Sequence, residues 1–152
     1  MKKKMLPGPA TRTRAMQKLY TAYLKSRAQN EQCIFCHIPD EQPETILEEH
    51  RKMLVVKNRF GYSVWEGCKV TEHLMIIPKS HRHSLSDFTK EEKAEWADIC
   101  ARFEANGYSL YTRSPGNITK SIPHHHTHFI KLKNKRISLM FYVRKPHILI
   151  AR

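Results

Sequence analysis

Apolar residues along the chain follow two periods, one suited to helices and one to strands. Met16, Leu19, Tyr20, Tyr23 and Leu24 fall at helical spacing within 11–28, with Arg12, Lys18 and Lys25 on the opposite face, which predicts a basic amphipathic helix. A second, longer helix is announced by Thr89-Lys90-Glu91-Glu92. In that capping-box pattern the Thr and the second Glu each satisfy a free backbone amide. The helix is expected to run to Asn106, with Gly107 as its left-handed stop. Short apolar or alternating runs predict strands at 45–50, 53–58, 72–78, 108–113, 124–132 and 137–143. Many short strands with one long helix among them give an α+β order. A chain of 152 residues buries enough surface for one domain, taken here as 30–152, with residues 1–29 as a basic extension carrying the first helix.

Charge adds a second kind of organisation. Residues 1–29 hold eight Lys or Arg and no acid; residues 105–152 hold nine and no acid; the stretch between them is mildly acidic. Two electropositive ends attract anions such as nucleotides, nucleic acid or a membrane surface, without choosing among them. No apolar run approaches the roughly 20 residues of a membrane span, so no membrane partner is expected. The start MKKKMLPGPATRTRA lacks the apolar stretch of a secretory signal, and the expected compartment is the reducing cytoplasm.

Two clusters carry candidate chemistry. SIPHHHTHFI, residues 121–130, places His124, His126 and His128 on one face of a strand, roughly 6–7 Å apart along the chain. His125 and Thr127 then point the other way. Cys33 and Cys36, in CIFC, read as a disulfide, a redox couple or metal ligands. A reducing compartment argues against the first. The βαβ context of thioredoxin-like pairs is missing for the second. Zinc fits best, since two thiolates and two imidazoles complete a tetrahedron. Cys68 and Cys100 read as ordinary thiols.

The run His124-x-His126-x-His128 resembles the motif of the histidine triad (HIT) superfamily of nucleotide hydrolases and transferases. CIFCHI, EHLMIIPKSH and SLSDFTKEE occur in the order that family shows, so the likeness covers about 31–135. It implies an antiparallel sheet of about five strands with the 90–106 helix packed across it, and pairing of two sheets in a homodimer. The implied substrate is a purine nucleotide attacked at its α-phosphate, through a nucleotidyl intermediate on the central histidine, His126. His128 is implied to place the phosphate and protonate the leaving group, and His124 to hold the nucleophilic ring in the right tautomer. Ser121 matches the serine that donates to the phosphate, and Asn58 the residue that reads the ribose. In zinc-bearing members of the superfamily the ligands correspond to Cys33, Cys36, His81 and His124, with His83 as a rival to His81. A closed four-ligand zinc is structural, and the chemistry itself then needs no metal.

The chain also departs from the pattern. His125 and Thr127 replace apolar residues between the triad histidines, which suggests a solvated or partner-covered back face. Before the triad, Arg113 stands where the family has Asn, Asn117 lies within the loop, and Lys120 replaces Gln; two fixed cations there bind phosphate strongly. A long segment, GYSVWEGCKVTEH, separates Asn58 from His73. A second reading from another class is a zinc-stabilised nucleic-acid-binding module, with removal of adenylate from nucleic-acid ends as its hybrid form. Under either reading the basic ends are candidate nucleic-acid contacts. Deletion of residues 1–29 is then expected to weaken nucleic-acid binding while sparing small nucleotides.

Overall fold

The computed structural model describes residues 12–27, 32–136, 140–144 and 147–151. Helix α1 spans Arg14–Arg27. A single 3-10 turn over Ile34–His37, a short helix α2 (Ile38–Glu41) and a further turn at Pro43–Thr45 lead into the sheet. The strands are β1 (Ile46–Glu49), β2 (Met53–Lys57), β3 (Val64–Trp65), β4 (Cys68–Pro78), β5 (Ser109–Thr112) and β6 (Thr127–Arg136). Helix α3, Lys90–Ala105, lies between β4 and β5 in the chain. The sheet order is β1-β2-β4-β6-β5, with β3 folded back on β4, and every pairing described is antiparallel. Strands β7 (Met140–Arg144) and β8 (His147–Ala151) pair as a separate antiparallel ribbon. Of the strand expected at 137–143, residues 137–139 lie outside the described residues. No helix among the described residues is long and apolar enough to cross a membrane.

Alternation along the strands divides the core. Met53 and Val55 of β2, Leu74 and Ile76 of β4, and Phe129 of β6 pack with Ile99 and Phe103 of α3. Leu54, Val56, Met75 and Ile77 point to the other face, where Phe35 and Ile38 cover them. Helix α3 starts as its sequence predicts: Thr89 N–H donates to Glu92 (2.8 Å) and Glu92 N–H to Thr89 Oγ1 (3.2 Å). It stops at Gly107, whose φ of +84° is accessible to glycine at little cost.

Two strands escaped the sequence reading. The β3–β4 hairpin turns through Glu66 and Gly67, both at positive φ, and two such residues make the tight turn whose twist matches paired strands. The Glu-Gly dipeptide was its signal. Strand β8 was signalled by the apolar HILIA.

The histidine run also needs correction, since the ladder of β6 begins only at Thr127. The preceding backbone bonds elsewhere: His125 N–H donates to the Arg82 carbonyl (2.5 Å), and the His126 carbonyl accepts from Thr112 Oγ1 (3.0 Å). Side chains still alternate. His125 stacks edge-on against Phe88, and Thr127 accepts from Trp96 Nε1 at 3.2 Å. Both are buried under α3. The back face is thus dry protein core, neither solvated nor free for a partner, because the helix covers it.

Candidate active site and metal centre

The metal-type donors meet where the CxxC turn, the end of β4 and the start of the triad converge. One donor atom each from Cys33, Cys36, His81 and His124 lie within 4.8 Å of one another. His124 Nδ1 is 3.4 Å from Cys33 Sγ and 3.5 Å from Cys36 Sγ, and His81 Nδ1 is 3.3 Å from Cys36 Sγ. Tetrahedral zinc with ordinary bond lengths sets S···N at about 3.5 Å, so the donors fit that ion. His124 Nε2 donates to the Pro78 carbonyl (2.9 Å), which leaves Nδ1 as the bare lone pair and fixes the ring, as partners of metal-binding imidazoles do. Burial, only partly opposed by that bond, pushes His124 down to about 4, so the ring is neutral and able to ligate. The cluster takes His81 and not His83, whose exposed ring lies beside that of His81.

The triad continues from this cluster. His126 Nδ1 donates to the His124 carbonyl at 2.9 Å, so its neutral tautomer keeps a lone pair on Nε2. Burial lowers its pKa to about 4 against the raising effect of that bond. Phe35 meets both His126 and His124 edge-on, and the His126 and His128 rings are 4.9 Å apart. The zinc-type cluster and the nucleophile candidate are therefore coupled through two groups of His124, its ring and its carbonyl.

His128 belongs to a chain of hydrogen bonds that the sequence reading missed. Tyr62 N–H donates to His73 Nδ1 (2.9 Å), which places the neutral His73 proton on Nε2. That proton is donated to His128 Nδ1 (2.9 Å). His128 then carries its own proton on Nε2, where Arg113 Nη1 faces it at 3.2 Å. Both rings are neutral: burial foremost, then Arg12 and Arg113, push His73 down to about 3, and burial with neighbouring His126 pushes His128 well below its ordinary value. The signal for His73 was available, since alternation along β4 places a polar ring on the same face as Met75 and Ile77.

The remaining expected site residues fall into two groups. Arg113 is brought to the triad and clamped there, with Nε donating to Thr119 Oγ1 (2.8 Å) and Nη2 to the Tyr62 hydroxyl (2.9 Å). Lys120 is half-buried and donates to the His83 carbonyl at 3.1 Å. Ser121 hydrogen-bonds Tyr20 of α1. Asn117 is engaged within its own loop: its Oδ1 accepts from the Thr119 amide (2.8 Å) and hydroxyl (2.6 Å), so it shapes the loop that holds Arg113. Asn58 Oδ1 accepts from Phe60 N–H (2.9 Å), and its Nδ2 rests against the His73 ring at 3.2 and 3.5 Å from the two nitrogens. Arg12 and Tyr20 were not foreseen here, because a basic amphipathic helix in sequence carries no sign of what its buried face meets.

No family model matches the chain, and no curated protein matches it. Solved structures do. A HIT family hydrolase from Clostridium thermocellum superposes with a TM-score of 0.53 at 23% identity, covering 68% of this chain and 93% of the other. A zinc-bound histidine triad family protein from Mycobacterium smegmatis gives 0.52 at 22% identity, covering 68% and 76%. A hypothetical histidine triad nucleotide-binding protein from Sulfolobus tokodaii gives 0.52 at 24% identity, covering 68% and 70%. With the sheet order, the helix across it and the three histidines in hand, this chain has the fold of the histidine triad proteins.

Proposed function

We propose that the protein is a nucleotide hydrolase or nucleotidyl transferase acting at the α-phosphate of a purine nucleotide, through a covalent intermediate on His126. The observation that carries this reading is the Nδ1–H bond of His126 to the His124 carbonyl, which reserves Nε2 as a nucleophile. In the first step Nε2 bonds to phosphorus and the bond from phosphorus to the leaving atom breaks, its electron pair departing with that atom. In the second, a water or acceptor oxygen bonds to phosphorus, the P–N bond breaks, and its pair returns to Nε2. The water proton leaves with the product phosphate or to solvent. Splitting one substitution into two is what a nucleophile that is also a good leaving group contributes. Zinc held by Cys33, Cys36, His81 and His124 would fix the His124 ring, and with it the carbonyl that sets the His126 tautomer; the role is structural, because four protein ligands leave no open position. Residues 30–152 then form the catalytic domain, and α1 packs on it through Tyr20.

The test is rapid quenching of wild-type protein with a panel of adenosine phosphoramidates, adenylates and dinucleoside polyphosphates, followed by mass spectrometry of peptides. A nucleotidyl group on His126, together with loss of turnover and an unchanged melting temperature in His126→Ala, is the expected result. A His126→Ala variant that keeps more than a few per cent of wild-type kcat on every active substrate refutes the mechanism.

A further inference from the structure

The hydrogen bonds around His128 lack an acceptor. The fixed amide donor of Tyr62 sets the tautomer of His73 and, through it, that of His128, so His128 Nε2–H and Arg113 Nη1–H face each other at 3.2 Å. Two donors aimed at one point are satisfied by an oxygen that takes both, and His128 is only 3% exposed, so solvent cannot relieve them freely. A second guanidinium stands beside this point. Arg12, just before α1, donates from Nε to the Phe60 carbonyl (2.5 Å) and lies over the rings of Tyr20 and Tyr62, 4.2 and 4.8 Å from their centroids. Arg113 donates to the hydroxyl of the same Tyr62, so the two guanidiniums bracket one ring. Among the described residues neither arginine forms a salt bridge, although Arg27, Arg82 and Arg102 all do. Arginines gathered in one corner without a carboxylate repel each other until an anion joins them.

We propose that this corner binds an anionic, phosphate-bearing leaving group, and that Arg12 of the N-terminal segment is one of its binding residues. The inference rests on the nucleotidyl-transfer reading and narrows its substrates to nucleoside 5′-phosphoanhydrides. The chemistry agrees. A phosphate leaving group departs as an anion and needs positive charge and hydrogen-bond donors, which Arg113, Arg12 and His128 Nε2–H supply. An amine leaving group needs a proton, and a neutral imidazole whose Nδ1 already accepts a bond donates a hydrogen bond without being an acid. His128 therefore stabilises the leaving oxygen and does not protonate it, in contrast to the role expected from the resemblance.

Two arms test this on the full, zinc-loaded chain. In the first, inorganic pyrophosphate is titrated calorimetrically into wild type and Arg12→Gln. Wild type is expected to bind, and Arg12→Gln to bind about tenfold more weakly or worse, the scale of one charge-assisted bond lost. Absence of pyrophosphate binding by wild type, or equal affinity in a normally folded Arg12→Gln, overturns the proposal. If Arg12→Gln melts early, it is titrated below its melting transition beside wild type at the same temperature, and equal affinity there overturns the proposal. In the second arm, kcat/KM is measured on a nucleoside 5′-phosphoanhydride and on a nucleoside 5′-phosphoramidate with an uncharged amine. Arg12→Gln is expected to lose activity on the anhydride alone, and equal losses on both overturn the assignment. If wild type turns over neither, the nucleotidyl-transfer reading fails and the pyrophosphate arm alone decides whether the anion corner is real.

Discussion

Replacing Cys36 by Ser tests the metal centre, and the size of the effect follows from the geometry. The ligand atoms of the four residues already lie within 4.8 Å and the S···N separations within a few tenths of an ångström of zinc geometry, so binding requires little rearrangement and its free energy appears as folding free energy. Cys36 Sγ touches both imidazoles, at 3.3 and 3.5 Å, so its loss removes one ligand and leaves the other three without a complete tetrahedron. A loss of affinity of about 100-fold removes roughly 2.7 kcal/mol of ligand-linked stability. For a chain of this length that is about 5–11 °C in melting temperature. The assay is thermal melting of untagged wild type, Cys36→Ser, His81→Ala and His83→Ala, with zinc or with excess chelator, beside elemental analysis. Wild type and His83→Ala are expected to hold one zinc and to lose stability on chelation; the other two are expected to start low and respond weakly. Metal-free wild-type protein, or a His81→Ala variant that holds zinc while His83→Ala does not, refutes the assignment.

Two further perturbations probe the supports of the triad. Thr119→Val removes the acceptor for Arg113 Nε; one such bond is worth about 1 kcal/mol, so kcat/KM is expected to fall on the order of fivefold with the fold intact, and unchanged kinetics would show that Tyr62 alone holds the guanidinium. His73 has a folded pKa pushed down to about 3 from an ordinary 6.5. The unfolded chain therefore binds the extra proton across that window, and stability is full above about pH 6.5 and lost as pH falls toward 3. Denaturant midpoints measured in chelator, so that zinc release plays no part, are expected to decline over this range less steeply in His73→Gln; identical slopes would mean that His73 does not contribute.

Much of the fold was legible because local chemistry and tertiary structure agree. The Thr89–Glu92 box, the Gly107 stop and the continuous apolar runs of β2 and β4 specify their elements without help from distant residues. The metal cluster was legible for a different reason: four soft or imidazole donors have few other uses in company. What stayed hidden depended on packing. His125 and Thr127 look polar in sequence, yet Phe88 and Trp96 bury them by supplying an aromatic edge and a donor. Asn117 and Arg113 look like equal candidates four residues apart, and only the loop's own hydrogen bonds show that one shapes the turn while the other faces His128. The reach of Arg12 across 48 residues to the Phe60 carbonyl leaves no trace in any local pattern.

That reach changes how the basic head must be tested. Deletion of residues 1–29 is expected from the sequence to separate nucleic-acid binding from turnover of small nucleotides, on the view that small substrates engage only the triad. The structure divides the head instead. Arg12 and Tyr20 turn inward to Tyr62 and Ser121, and Arg27 is paired with Glu41, whereas Arg14, Lys18 and Lys25 are exposed on α1. Truncation removes both groups and uncovers Phe60, on which Tyr20 and Tyr23 pack, so it disturbs the surroundings of Tyr62 and Ser121 whatever the surface does. The clean perturbation is Arg14→Gln, Lys18→Gln and Lys25→Gln together. If the head contacts a phosphate backbone, each neutralised charge lowers the dependence of log K on log salt by about 0.7 to 0.9. The triple variant is then expected to flatten the slope by about 2.1 to 2.7 while kcat/KM on a small nucleotide holds. Fluorescence anisotropy with single-stranded and duplex oligonucleotides over a salt series measures the slope. A slope identical to wild type would assign these cations to solvent and leave the inward-facing Arg12 as the head's functional charge.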